Sequence, residues 1–331
     1  MKSKSLLSAA ICAGMLIGTL SGCSSSSDSG SEPIRLAVYP LTSPYFEYAI
    51  EELGLFEEYG ANVELVEFAQ YTDVIQALDS GNVDASIMGI TEAVAPICND
   101  IGLEIVYMTD YSAGMDGIVA SKDISSLEEL SGKTVAVNIG TMNHMLLLSA
   151  LESVGLTEDD VNIVNMSEGD AAAALVGGSI DAASIFDPQL TNAARESGGS
   201  IIFTSEQLKG ELSDVLLVNE SITSERADEV EGIIRSWIAV QEKYAADPES
   251  VISCISDSTD LTEEEFLELM AGLDIASADY NKEMFANGGE KMAELVSRVS
   301  DFLYDTECID SVPSAESITA AIDTAFVDAI E

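Results

Sequence analysis

Basic side chains are scarce in this sequence. Thirteen Lys and Arg stand against 59 Asp and Glu, a formal net charge of −46 over 331 residues. So few cations cannot replace the counterions of a polyphosphate, which excludes nucleic acid as a partner, and the same deficit repels anionic lipid. The acidity reads as a soluble, self-repelling surface. Histidine occurs once, as His144, and cysteine five times, at 12, 23, 98, 254 and 308, with no CxxC spacing. A metal site would need further histidines or clustered thiolates, and no G-x-S-x-G nucleophile motif is present. Cys254 and Cys308, both in the C-terminal region, are the pair left open to bridging. Beyond the first segment no run approaches 18 uninterrupted apolar residues, as a membrane span requires. Against these absences, 47% of the residues are hydrophobic. That is enough for substantial cores, and the length suits two domains.

At the N-terminus Lys2 and Lys4 precede "LLSAAICAGMLIGTL", an apolar core of signal-peptide length that ends in "LSGC", residues 20–23. Small residues before a cysteine at this place resemble a bacterial lipobox. The resemblance implies a signal peptide over 1–22, lipidation of Cys23 and a lipid-anchored place on the membrane, facing outside the cytoplasm. "SSSSDSGSE" then reads as part of a flexible tether over 23–32.

A repeat organises the rest. "IRLAVYP" (34–40) and "NVELVEF" (62–68) read as strands around a loop and helix, and "YTDVIQALDSGNVDASIMG" adds a helix, a turn and a third strand. The order returns in "KTVAVNI", "GTMNHMLLLSALESVGL", "VNIVNM", "EGDAAAALVGG" and "SIDAASIFDP". "GNVDASI" (81–87) and "GSIDAASI" (178–185) share G-x-[VI]-D-A, and Gly54-Leu55 matches Gly155-Leu156. Two lobes of one plan follow, each a mostly parallel sheet flanked by helices. The first lobe is expected over 33–115 and the second over 116–213, with 214–331 returning to the first lobe and adding C-terminal helices. Stretches 109–120 and 213–219 are the crossings, and paired crossings make a hinge. Trp237 falls on the apolar face of a helix and reads as core.

"GLFEEYGANVELVEF", "ALDSGNVDASIMG", "SLEELSGKTVAVNIGT" and "AAALVGGSIDAASIFDP", in that order, resemble the solute-binding lipoproteins of ABC importers. The nearest group binds nitrate, sulfonates, taurine and thiamine precursors. The resemblance covers residues 33–331. It implies a two-lobed α/β fold of the type II periplasmic-binding-protein kind, a small-molecule ligand in the cleft, permease partners and a monomer. It implies no cofactor and no chemistry by the protein itself. Phe186-Asp187-Pro188 departs from the pattern, because many relatives carry Trp before the acidic residue and proline. The ligand therefore stays open among sulfonate- or taurine-like, nitrate-like and pyrimidine-precursor-like molecules. A ligand-sensing lipoprotein for a membrane receptor and a cofactor-biosynthesis enzyme on the same fold are the alternatives.

Ligands of such sheets sit beyond the C-terminal strand ends, where loops start helices. "YPLTSPYF", "MGITEAV", "NIGTMNHM" and "IFDP" fall there. Their candidate contacts are Tyr39, Thr42, Ser43 and Thr91 in the first lobe and Gly140, Thr141, Asn143, His144 and Asp187 in the second. Tyr45 and Phe186 are the apolar walls. No Lys or Arg lies in the four segments. Helix N-termini and hydroxyls would hold an anion, with Gly140 admitting close backbone approach and Thr141 as a cap. Asp187 could accept an ammonium or ring N–H, or be a turn residue before Pro188. A zwitterion or polar heterocycle fits these better than bare nitrate. His144, near the helix start, reads as a neutral donor to the ligand, with a packed or cap-supporting histidine as the alternative. On that reading His144→Ala weakens binding and leaves the unliganded melting temperature nearly unchanged.

Overall fold

A computed structural model describes residues 32–39, 45–69, 71–259 and 261–330. The expected signal peptide, Cys23, Thr42 and Ser43 lie outside the described residues. Among those described, eleven strands form two sheets. The first sheet begins with β1 (Ile34–Val38), β2 (Val63–Glu67), β3 (Ala85–Gly89) and β4 (Leu103–Ser112). The second holds β5 (Asp116–Ala120), β6 (Thr134–Val137), β7 (Asn162–Asn165), β8 (Ala182–Phe186) and β9 (Ser200–Thr204). The chain then returns to the first sheet in β10 (Ser213–Asn219) and β11 (Leu273–Ile275).

The orders are β11-β4-β10-β3-β1-β2 and β7-β6-β8-β5-β9. Set side by side, β2-β1-β3-β10-β4 and β7-β6-β8-β5-β9 are one arrangement used twice. In each, the first two pairings are parallel and the last two antiparallel. The sheets are thus mixed, not mostly parallel as the helix–strand alternation predicts. The antiparallel members are the crossings. β10, arriving from the second lobe, inserts between β3 and β4, and β5, arriving from the first, inserts between β8 and β9. A strand that enters from the opposite lobe runs against its hosts, and a local βα pattern cannot register it.

The repeated aspartate has a physical role. Asp84 N–H donates to the Arg35 carbonyl at 2.8 Å, and its carboxylate accepts from Arg35 N–H at 2.9 Å. Asp181 N–H donates to the Thr134 carbonyl at 2.9 Å, and its carboxylate accepts from Thr134 N–H at 2.8 Å. Each aspartate therefore locks the start of one parallel pair, β1 with β3 or β6 with β8, and satisfies an amide at the sheet's end. That fixes the register that aims the strands' C-terminal ends at one place.

Alternation divides the second lobe's core. Ile118, Val135, Val137 and Ala182 face a core shared with the helix Met142–Ser153, while Val119, Ala136, Ala183 and Ile185 face the helices Glu168–Val176 and Gln189–Ser197. The C-terminal part is helical, as its spacing predicts. Trp237, in the helix Ala227–Ala246, is buried and tilted against Phe46 at 5.6 Å. The helix Ala286–Asp305, kinked at 287–289, reaches the second lobe. Cys98, Cys254 and Cys308 are free, so the 254–308 pair is not bridged. Among the described residues no helix is long and apolar enough to cross a membrane.

Candidate functional site

The C-terminal strand ends of both sheets open on one cavity of about 270 Å³. Tyr39, just past β1, and Gly89 and Glu92, at the end of β3 and the start of the next helix, line it from the first lobe. Asn138 past β6, Thr141 and Asn143 at the next helix, and Phe186 closing β8 line it from the second. The crossings form its floor, through Asp110 and Ser112 of β4, Asp116 of β5 and Asp214 of β10. Met115, Met142, Leu212, Leu269 and Leu273 supply apolar wall.

Five lining residues are acidic, Glu92, Asp110, Asp116, Glu168 and Asp214, and no Lys, Arg or His is among the described lining. Asn143 Nδ2 donates to Asp116 Oδ1 at 2.8 Å, and Asn138 Nδ2 donates to Glu168 Oε1 at 3.1 Å. The Asp214 carboxylate accepts no hydrogen bond from a described residue. Burial pushes Asp116 up to about 6, against the pull of hydrogen bonds from Ser112 and Asn143. Burial and then the Asp110 charge push Asp214 well above the usual carboxylate range. Burial, then Asp214 and Glu92, raise the Tyr39 hydroxyl. A unit charge about 7 Å from one carboxylate, at an effective dielectric near 20, feels roughly 2 kcal/mol. A helix N-terminus offers about 0.3–1 kcal/mol. Even with some of the carboxyls protonated, their field outweighs the helix ends.

The structure brings Tyr39, Thr141, Asn143 and Phe186 together at the cavity and sets the other described candidates apart. His144 is 0% exposed and outside the lining. A helix turns about 100° per residue, so Met142 and Asn143 face the cavity while His144 turns inward. Its Nδ1 accepts from Gly140 N–H at 3.3 Å, and its ring meets Phe302 edge-on at 5.3 Å. That leaves the proton on Nε2, which has no partner among the described residues. Burial lowers its pKa to about 4. His144 is therefore a neutral packing residue between the second lobe and the C-terminal helix, which corrects its expected place on the cleft wall.

Gly140, at φ +86°, lies against Cys308; a Cβ there would meet its Sγ at 3.0 Å. Thr141 stands at the N-cap, but its hydroxyl donates to the Asn138 carbonyl at 2.7 Å and makes no side-chain cap bond. Thr91 is buried behind the lining, its hydroxyl donating to Glu92 Oε2 at 2.6 Å. Tyr45 is buried beside Tyr48. Asp187 Oδ1 accepts from Thr191 N–H at 2.9 Å, so Asp187 fills the turn role at the start of the helix Gln189–Ser197. The strand-end rule passes over Asp110, Asp116 and Asp214 because they sit on the crossings. The acid in "TDYS", "GMDG" and "SDVL", where apolar crossing strands should run, is the signal that marks them.

A family model described as NMT1/THI5 like matches residues 44–250. The taurine-binding periplasmic protein of Escherichia coli (strain K12) is 28% identical over 196 residues, 58% of this chain. The chain spans 61% of that relative's length. The periplasmic aliphatic sulphonate binding protein SsuA from Escherichia coli has the same fold. Its TM-score is 0.72 at 18% identity, over 87% of this chain and 92% of that one. The desulfurization enzyme DSZB shares the fold as well, with a TM-score of 0.63 at 14% identity, over 90% of this chain and 98% of that one. At such identities the structural likeness speaks for the two-lobed fold alone. The family match covers well over half of the sequence, and the chain belongs to the NMT1/THI5-like family.

Proposed function

We propose that this chain is an extracytoplasmic solute-binding lipoprotein. It captures a small polar molecule between its lobes and delivers it to the permease of an ABC importer, acting as a monomer without a cofactor. The observation that carries this reading is a cavity lined from both lobes and floored by both crossings. A ligand there touches both lobes only when they are closed, so it favours the closed state by its differential contacts. The names of the taurine- and sulphonate-binding proteins support a transport role. The signal-like N-terminus ending at Cys23 supports a lipid anchor outside the cytoplasm.

Mass spectrometry of small molecules released from the denatured protein tests this directly. The released compound, added back, is expected to raise the melting temperature. Ligand at a hundredfold over Kd contributes about 2.7 kcal/mol. No released compound, together with no shift across sulfonates, amines, nitrate and pyrimidines, rejects the proposal.

A further inference from the structure

We infer that the solute is an organic cation, an ammonium or guanidinium group on a small apolar body, rather than a sulfonate or nitrate. This rests on the reading of the cleft as a ligand site and names the class of molecule it takes. The cavity makes the site; the sign of its charged groups decides the occupant. Glu92, Asp110 and Asp214 present carboxylates from the first lobe, and Asp116 and Glu168 present them from the second. No Lys, Arg or His among the described lining opposes them. Facing carboxylates repel one another across the cleft, and without a ligand only protons held on the raised carboxyls, Asp214 above all, relieve that repulsion. A cation between them removes it, so closure depends on the cation's arrival. An anion would add to the repulsion instead.

Two further features narrow the class. Asp214 faces the cavity without a hydrogen bond from any described residue, which leaves an acceptor for an N–H donor of the ligand. Among the described residues no three His, Cys, Asp or Glu side chains are grouped as a metal ion requires. Beside the hydroxyls of Ser112 and Thr141 and the amides of Asn138 and Asn143, the lining carries an aromatic and aliphatic wall that includes Tyr39, Met115, Met142, Phe186 and Leu273. It suits the face of a hydrocarbon or ring better than a hydrated ion, and aromatic faces also attract cations.

Isothermal titration of the purified chain at pH 8 separates the possibilities. The probes are 1,4-diaminobutane, agmatine, choline and phenethylamine as cations, butane-1-sulfonate as an anion and taurine as a zwitterion. The expected result is saturable binding of at least one cation and none of butane-1-sulfonate. Asp214→Asn and Asp116→Asn are each expected to weaken that cation by about thirtyfold or more, because each leaves a buried charge poorly paired. Circular dichroism of the unliganded variants checks that they remain folded. Binding of butane-1-sulfonate or taurine with no cation bound overturns the cation assignment and leaves the solute-binding reading standing. Cation affinity unchanged in both folded variants also overturns it. Binding of no probe, together with no released small molecule, overturns both.

Discussion

His144 shows how one residue's role turns on a rotation of 100°. It stands beside Asn143, which reaches Asp116 in the cavity, yet its own ring is sealed against Phe302. Truncating it should behave as a core deletion. His144→Ala is expected to cost about 2–4 kcal/mol in urea unfolding, with the affinity for the released ligand little changed. His144→Phe keeps a ring and removes the unpartnered buried nitrogen, and should recover most of that loss. A large loss of affinity without loss of stability would return His144 to the cleft.

At the scale of elements, the repeated aspartates carry more weight than their exposed turns suggest. Asp181 ties the start of β6 to the approach to β8 through two hydrogen bonds. Asp181→Ala leaves the Thr134 amide without its acceptor and should cost about 1–3 kcal/mol, measured by thermal or urea unfolding. Asp84 does the same for β1 and also pairs with the Arg35 guanidinium at 2.7 Å. That pair is part-exposed, so its ionic share is small. The crossings work at this scale too. β10 and β5 are the strands that each lobe lends to the other's sheet, and their ends carry Asp214 and Asp116 into the floor of the cleft.

For the whole molecule, buried acids set the pH dependence. Burial pushes Glu47 up to about 8 and Asp116 up to about 6, while burial lowers His144 to about 4. Raised carboxyls hold protons in the folded state that the unfolded chain has already released, so their stability is lost as pH rises through the folded values. A depressed histidine acts at the other end. The unfolded chain takes up the proton first, and stability falls as pH drops from about 6.5 towards 4. Between about pH 4.5 and 6 the two raised carboxyls outweigh the histidine, and from about 6.5 to 8 Glu47 acts alone, so the unliganded melting temperature is expected to decline from about pH 5 towards pH 8.5. Glu47→Gln should flatten the alkaline decline. A melting temperature that rises from pH 6 to pH 8.5 would contradict this assignment of the buried acids.

Local pattern was enough to read the repeat, the strand and helix order, the crossings and the helical tail, because each rests on side-chain periodicity and turn chemistry within a few residues. It also placed Tyr39, Thr141, Asn143 and Phe186 at strand ends, where the structure has them lining the cavity. It did not give the antiparallel insertions, since the partner of β10 or β5 comes from the other half of the chain. Nor did it tell which face of the helix Met142–Ser153 meets the cleft, because the C-terminal helix that claims His144 lies far along the sequence. The acidity was plain from composition, but composition does not say where charge gathers. Only the tertiary structure brought five carboxylates from separate strands and helices to one cavity, because each lobe's strands end there and both crossings pass beneath it.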